Sequence, residues 1–347
     1  MATRADMIAR TEAPQPGRPS ALTVRDLHAY YRVAHFGIRR EVRAVEGISL
    51  EVGRNEIYGL AGESSSGKST LVKTIARAIR PPLFHAGGEV VFDFRDTGRL
   101  SLYDLPQAEL TRLRWRHLSY IMQASMSVLN PVRRVRHSFR DFAFRHIGKP
   151  EPEFWALVEQ HLERLHLHPS VLGSYPHELS GGMRQRVTIA LATICRPDFV
   201  IADEPTTALD VVVQKDVLGM IREIQQQMGS SVLFVTHDMA VHATLVDRLG
   251  IMYAGRLVEE APTRQLFRAP RHPYTRHLVS SLPRIGDRSE RKGLEGRPPS
   301  LAAPPPGCRF HPRCPIAMPV CSQEVPQLLE IVPGHRAACH AVSAGVA

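Results

Sequence analysis

"IYGLAGESSSGKSTLVKTIARAI", Ile57–Ile79, changes character twice within a few residues. The opening apolar run ends in glycine and reads as a buried strand, while "KSTLVKTIARAI" has the apolar spacing of a helix that Pro81 and Pro82 stop. Between them "GESSSGKST", Gly62–Thr70, matches G-x-x-x-x-G-K-[ST] in the strand–loop–helix setting this pattern needs. Such a loop turns peptide N–H groups onto phosphate oxygens, and the helix start adds its positive end. Gly62 and Gly67 give the backbone room. Ser64, Ser65, Ser66 and Thr70 complete the cradle. Lys68 reaches toward the outer phosphates and the Ser69 hydroxyl is placed to ligate Mg²⁺. The expected fold is therefore α/β with a mainly parallel sheet and a nucleoside triphosphate at the strand ends.

The rest of the chain agrees with that class. "FVIADEP" is a continuous apolar strand, as a sheet covered on both faces requires. It ends in Asp203, which would hold Mg²⁺ through water, and Glu204, which could polarise an attacking water. "ALTVRDLHAYYRV" and "VRAVEGISLEV" alternate like half-buried strands, and "SVLFVTHD" is a further strand. "RLGIMYAGRLVEEA" reads as a hairpin turning at "AGR". "EFWALVEQHLERLHL", "MRQRVTIALATIC" and "QKDVLGMIREIQQQMG" have helical periodicity. "TRQLFRAPRHPYTRHLVSSL" looks helical with proline breaks. "PRIGDRSERKGLEGRPPSLAAPPP" has the composition of a linker.

Bulk properties narrow the function. The 347 residues include 43% apolar and 22% charged types, an ordinary soluble mixture. The first 20 or so residues lack an apolar h-region and read as a disordered leader, not a secretory signal. No apolar run nears the roughly 20 residues that cross a bilayer. The net charge of +10 suits a phosphate-rich ligand or an anionic surface. No stretch interleaves aromatic and basic residues as an RNA-binding sheet does, so nucleic acid is not the expected partner.

"ELSGGMRQRV", Glu178–Val187, closely resembles the signature of ATP-binding cassette (ABC) ATPases. Alone, "LSGG" would be an ordinary N-capped helix start. Here it lies just upstream of "FVIADEP", and further motifs fall in family order. Gln123 in "YIMQASMSVLNP" resembles the Q-loop glutamine, which would touch both Mg²⁺ and the attacking water. Asp210 in "TALD" resembles the D-loop. His237 in "LFVTHD" resembles the switch histidine. Tyr31 resembles the aromatic that stacks on adenine, with Tyr30 the competing choice. The resemblance implies a P-loop cassette fold: a RecA-like parallel-sheet core, an antiparallel β subdomain and a helical subdomain at about 124–185, all within residues 21–262. It also implies a head-to-tail pair of cassettes, in which Ser180, Gly181 and Gly182 cap the γ-phosphate held by the other cassette.

"LSGGMRQRVTIALA", "IADEPTTALDV", "SVLNP" and "RHPYTRHLVSSLP" further resemble the D-type ATPase subunit of bacterial oligopeptide and dipeptide importers. That resemblance takes in residues 263–347 and implies a peripheral subunit on the cytoplasmic face of the inner membrane. Its partners would be a related F-type ATPase, two transmembrane permease subunits and an extracytoplasmic solute-binding protein. The competing function is a soluble cassette ATPase acting on nucleic acid or ribosomes. Such relatives usually carry a coiled-coil insertion or a second cassette, and neither is present. The general P-loop pattern accepts any residue at position 65, but this family commonly has glycine there. If the loop needs positive φ, Ser65 carries strain of about 1–3 kcal/mol.

Four of the five cysteines, Cys308, Cys314, Cys321 and Cys339, crowd into the tail. In a reducing compartment such density argues for a metal rather than disulfides. The spacing C-x5-C-x6-C-x17-C lacks the close pairs of structural zinc sites and the runs of ferredoxins. Spacing alone leaves the metal open, and His311, His335 and His340 keep zinc available. Some D-type relatives hold a [4Fe–4S] cluster in this tail, so the resemblance implies an iron–sulfur site. Cys195, at the end of an apolar helix, reads as a buried core thiol.

Overall fold

The computed structural model describes residues 19–35, 38–123, 128–207, 209–282 and 293–345. The expected leader falls almost wholly outside them, as does the first part of the linker.

Two sheets pack around one core, and the larger buries a second core on its other face. β1 (Ser20–His35), β2 (Ile38–Gly53), β4 (Leu83–Phe94) and β5 (Gly98–Ser101) form an antiparallel sheet in the order β2-β1-β4-β5. The larger sheet is built from β3 (Ile57–Ala61), β6 (Leu118–Ile121), β7 (Phe199–Asp203), β8 (Ser231–Val235), β9 (Arg248–Tyr253), β10 (Arg256–Pro262), β11 (Leu329–Val332) and β12 (His335–Ala337). Its order is β11-β12-β10-β9-β3-β8-β7-β6. The pairs β6–β7, β7–β8, β8–β3 and β3–β9 are parallel, and the remaining pairs are antiparallel.

The apolar runs explain the layering. Tyr58, Leu60, Ile201, Leu233 and Val235 pack against the antiparallel sheet and the helix Lys68–Ile75. Ile57, Ala61, Val200, Ala202, Val232 and Phe234, on the opposite face, pack against the helices Gly181–Thr193 and Val211–Met228. Each strand is thus covered on both faces, which is why the runs do not alternate. The second helix starts at Asp210, whose Oδ1 accepts from the N–H groups of Val212 and Val213, and ends at Gly229 in the left-handed region.

Three elements differ from the sequence reading. The helix after the P-loop ends at Ile75, well before the prolines, because Arg77 turns left-handed at φ 49° and its guanidinium donates to the carbonyls of Leu102 and Leu105. β4 and β5 went unread, since "HAGG" breaks the strand pattern. Gly88, at φ 90°, lets β4 pass so close to β1 that a Cβ would lie 2.2 Å from the Asp26 carbonyl oxygen. Two strands of the tail extend the main sheet: β12 pairs with β10, and β11 with β12.

Candidate nucleotide site and C-terminal cysteines

The parallel strands β3, β6, β7 and β8 deliver their C-terminal ends to one place, where open α/β sheets bind ligands. Registers Ile121↔Ala202 and Asp203↔Val235 align Asp203, the last residue of β7, with Gln123, Glu204 and His237 just beyond the strand ends. The P-loop leaves β3 beside them. A cavity of about 300 Å³ is lined by Ser64–Thr70 together with Tyr31, Gln123, Glu204, His237 and Leu301.

The loop needs its glycines. A Cβ on Gly67, at φ 102°, would lie 2.1 Å from the Ala44 carbonyl oxygen, and one on Gly62 2.2 Å from that of Met252. Ser65 adopts φ 65°, so the family's glycine position is left-handed here and the serine is the strained choice. Lys68 Nζ donates to the carbonyls of Gly62 and Glu63 at 2.7 and 2.9 Å, and to Ser66 Oγ at 3.3 Å. Burial pulls its pKa down, while Glu204, Asp203 and Glu63 pull it up.

Asp203 is fully buried. Its Oδ1 accepts from Ser69 Oγ and its Oδ2 from Tyr120 OH, each at 3.3 Å. Burial raises its pKa despite these bonds. A buried carboxylate beside a serine hydroxyl is a hard oxygen donor set suited to Mg²⁺, whose charge would reverse that shift. Glu204, left-handed at φ 53°, lies with its Oε1 2.8 Å and its Oε2 3.0 Å from His237 Nδ1. Thr207 Oγ1 donates to Oε2 at 2.8 Å. His237 is 65% exposed while Glu204 is 11% exposed, so the pair presents one side to the cavity mouth.

Tyr31 lies at the cavity with its OH 3.1 Å from Thr70 Oγ1. Tyr30 faces elsewhere, bonded to His28 and edge-on to Phe84. Ser180 caps its helix, its Oγ accepting from the Met183 N–H at 3.2 Å. Ser180, Gly181 and Gly182 do not line the P-loop cavity of their own chain. Asp210 is engaged as the helix cap. Leu301 was not anticipated. It reaches the cavity because its carbonyl accepts from the Arg43 N–H at 3.0 Å, a contact with no motif to announce it.

The four tail cysteines approach one another. Burial pushes the Cys308 thiol up to about 11, and the charges of Cys321, Cys339 and Cys314 add to it. The Cys314 thiol is raised by burial first, then by Cys339 and Cys321. Backbone N–H groups of Phe310 and Ile316 point at Cys308 and Cys314, and that of Met318 at Cys321 Sγ, 3.5 Å away. Among the described residues no group of three or more His, Cys, Asp or Glu side chains is arranged to hold a metal ion. The three histidines are engaged elsewhere. His335 is fully buried against Glu259 Oε1 at 2.6 Å, His311 Nδ1 lies 2.8 Å from the Cys308 carbonyl, and His340 Nε2 lies 3.0 Å from that of Glu324. Cys195 packs against the large core, and burial raises its thiol to about 11.

Known proteins share this arrangement. Residues 45–207 match the ABC transporter family, and residues 258–321 match the oligopeptide/dipeptide transporter C-terminal region. The chain is 38% identical over 327 residues to the dipeptide transport ATP-binding protein DppD of Caldanaerobacter subterraneus subsp. tengcongensis, covering 93% of this chain and 98% of that protein. It is 37% identical over 329 residues to the oligopeptide transport ATP-binding protein AppF of Bacillus subtilis, covering 93% and 97%. In three dimensions it is similar to the dimeric structure of MJ0796, a bacterial ABC transporter cassette, with TM-score 0.60, 25% identity, and coverage of 70% of this chain and 99% of that one. Among the described residues no helix is long and apolar enough to cross a membrane. The chain belongs to the ATP-binding subunits of ABC transporters, in the oligopeptide and dipeptide importer group.

Proposed function

We propose that the chain hydrolyses ATP to power import of di- or oligopeptides or related solutes, as a peripheral subunit on the cytoplasmic face of a bacterial inner membrane. Its partners are two transmembrane permease subunits, an extracytoplasmic solute-binding protein and a second, F-type ATPase, making this chain the D-type member of the pair. The observation that carries the reading is the placement of Glu204, bridged to His237, in one cavity with Lys68 and Ser69.

The roles follow from that geometry. Lys68, held against the Gly62 and Glu63 carbonyls, reaches the β- and γ-phosphates, and the loop amides hold the remaining phosphate oxygens. Asp203, Ser69 and Gln123 would hold Mg²⁺, which would supply neutralising charge to the phosphates. Glu204 orients the attacking water and accepts its proton, with His237 fixing the carboxylate from the open side. Tyr31 stacks on adenine. The other cassette offers its own Ser180-type turn to the γ-phosphate, a head-to-tail arrangement in keeping with the exposed position of Ser180 and its helix start. Asp210 lies beside that junction. Closure driven by ATP and reopening after hydrolysis is a two-state shift biased by the γ-phosphate. The helical subdomain, at about 124–185, passes the movement to the permease subunits.

The same proposal includes a [4Fe–4S] cluster on Cys308, Cys314, Cys321 and Cys339. Cys308 within electrostatic reach of the other three sulfurs, and amides aimed at three of the four, support a thiolate site. A single zinc draws its sulfurs to within about 3.8 Å of one another, given Zn–S of about 2.3 Å. A cluster bonds one cysteine to each iron and tolerates wider spacing. It would bind a proline-rich tail into one unit.

The decisive experiment is reconstitution of the importer in vesicles. ATPase activity should rise with the permease subunits and the loaded binding protein. Stimulation by DNA or ribosomes instead, without permease subunits, would replace transport with the competing reading.

A further inference from the structure

Glu63 sits inside the P-loop, yet none of the roles above uses its side chain. It is held at three points. Its carbonyl accepts from Lys68 Nζ at 2.9 Å. Its N–H donates to the hydroxyl of the fully buried Tyr274 at 2.8 Å. Its carboxylate accepts from both terminal guanidinium nitrogens of Arg313, at 3.0 to 3.3 Å. Two of the three ties therefore come from residues beyond 262.

The Arg313 side chain is only 6% exposed. Its Nη1 also donates to Tyr253 OH at 3.2 Å, and its Nε to the Glu295 carbonyl at 3.2 Å. Its fork has no freedom left to wander. Arg309 acts from the other end of the same short segment. It donates to the Ala254 carbonyl and to Glu46. The adjoining Gly255 N–H donates to the Ser66 carbonyl at 2.8 Å, so this arginine braces the turn on which the P-loop rests. Between the two, the ring of Phe310 packs on Tyr253 and Tyr274 with centroids 5.2 and 5.5 Å apart. One arginine follows Cys308 and the other precedes Cys314, so the backbone that carries two of the cysteines also carries both ties.

We propose that Arg313 is a positioning residue of the ATP site: by gripping Glu63 it fixes the carbonyl against which Lys68 is set, so that nucleotide affinity depends on the Cys308–Cys314 segment. The proposal rests on the reading of Lys68 as the phosphate-binding lysine. A bidentate guanidinium–carboxylate pair, largely shielded from water, has the geometry to hold a loop in one conformation. An arm of the tail that only anchored itself would have no need of a carboxylate inside the P-loop.

The test uses the full chain in its importer complex, with steady-state ATP hydrolysis and melting temperature measured together. Arg313→Ala should raise KM for ATP about tenfold with kcat little changed. Arg313→Lys should restore part of the loss, since a point charge replaces the fork. Glu63→Gln, which keeps the shape of the side chain, should raise KM to a similar extent. The Arg313→Ala, Glu63→Gln double variant should be no worse than either single change. A lowered melting temperature with KM unchanged would make the pair a brace for the tail alone and overturn the proposal; so would effects of the two substitutions that simply add. A wild-type complex without ATPase activity would instead sink the importer reading, whereas an active wild type matched in KM by Arg313→Ala sinks only this one.

Discussion

The P-loop and the cysteine segment lie within contact of each other and differ in how their chemistry is written. The P-loop is nine consecutive residues whose working atoms are mostly peptide N–H groups and carbonyls. The cysteine segment spreads four sulfurs from residue 308 to residue 339, and their approach depends on a Cys308 N–H bond to the Cys321 carbonyl at 2.8 Å and on β12 joining the sheet. A site made of backbone is specified by the local order of small residues. A site made of side chains from several turns is specified by whatever packs those turns together.

The sharpest way to break the comparison is at Glu204. If the P-loop half works as proposed, Glu204→Gln keeps the loop, Lys68 and Asp203 intact and removes the group that takes the water's proton. Turnover should fall by about 10²–10⁴, while ATP binding persists and the closed cassette pair accumulates. Size-exclusion chromatography with ATP, alongside a phosphate-release assay, checks both. Near-normal phosphate release would move the proton acceptor elsewhere.

On the other side, the cysteine segment predicts a colour. Anaerobically purified protein should be brown, with about four irons and about four acid-labile sulfides per chain. Serine at 308, 314, 321 or 339 should bleach it; Cys195→Ser should not, because burial in the core, and no other cysteine, shifts that thiol. One stoichiometric zinc without sulfide would keep a metal in the segment and remove the cluster.

Legibility in the sequence follows the same division. Strand, loop and helix around Gly62–Thr70 were readable because each local choice agrees with the fold, and the apolar runs of β7 and β8 announce a sheet covered on both faces. The choice between Tyr30 and Tyr31 was not readable from alternation. β1 slips register against β2 between Leu27 and Ala29 and again between Ala29 and Tyr31, so counting by twos loses track of the face. β12 is three residues long and is held by His335 on Glu259, 76 residues away, a bond that no window of sequence displays. Arg313 and Glu63, 250 residues apart, are invisible for the same reason.

A smaller effect sharpens the nucleotide side. Tyr31→Ala should weaken ATP binding by about 0.5–1.5 kcal/mol beyond lost contact area, roughly a two- to twelvefold rise in Kd. Tyr30→Ala should do less, since its ring packs on Phe84 and His28. Equilibrium titration with a fluorescent ATP analogue distinguishes them. Equal affinity in wild type and Tyr31→Ala would leave both rings as strand packing.

The smallest effect lies at Ser65, where the P-loop departs from its own local rule. At φ 65° a serine Cβ crowds its peptide neighbours, at about 1–3 kcal/mol. Glycine removes that strain but gives the unfolded chain more freedom, which returns about 0.4–1 kcal/mol. Ser65→Gly should therefore stabilise the protein by about 1 kcal/mol, a rise of a few degrees in melting temperature. Nucleotide affinity responds only to strain that differs between free and bound loops. If phosphate holds residue 65 deeper in the left-handed region, Ser65→Gly tightens ATP binding as well as raising the melting temperature. If the loop is already set, by Arg313 on Glu63 and by Gly255 on Ser66, the melting temperature rises and Kd stays where it is. A series of ATP titrations on Ser65→Gly, with and without Arg313→Ala, separates the two. Tighter binding that appears only when Arg313 is gone would show that the tail, rather than the glycine usual at this position, keeps the P-loop in its binding shape. No change in either quantity would mean that the loop accommodates serine without strain.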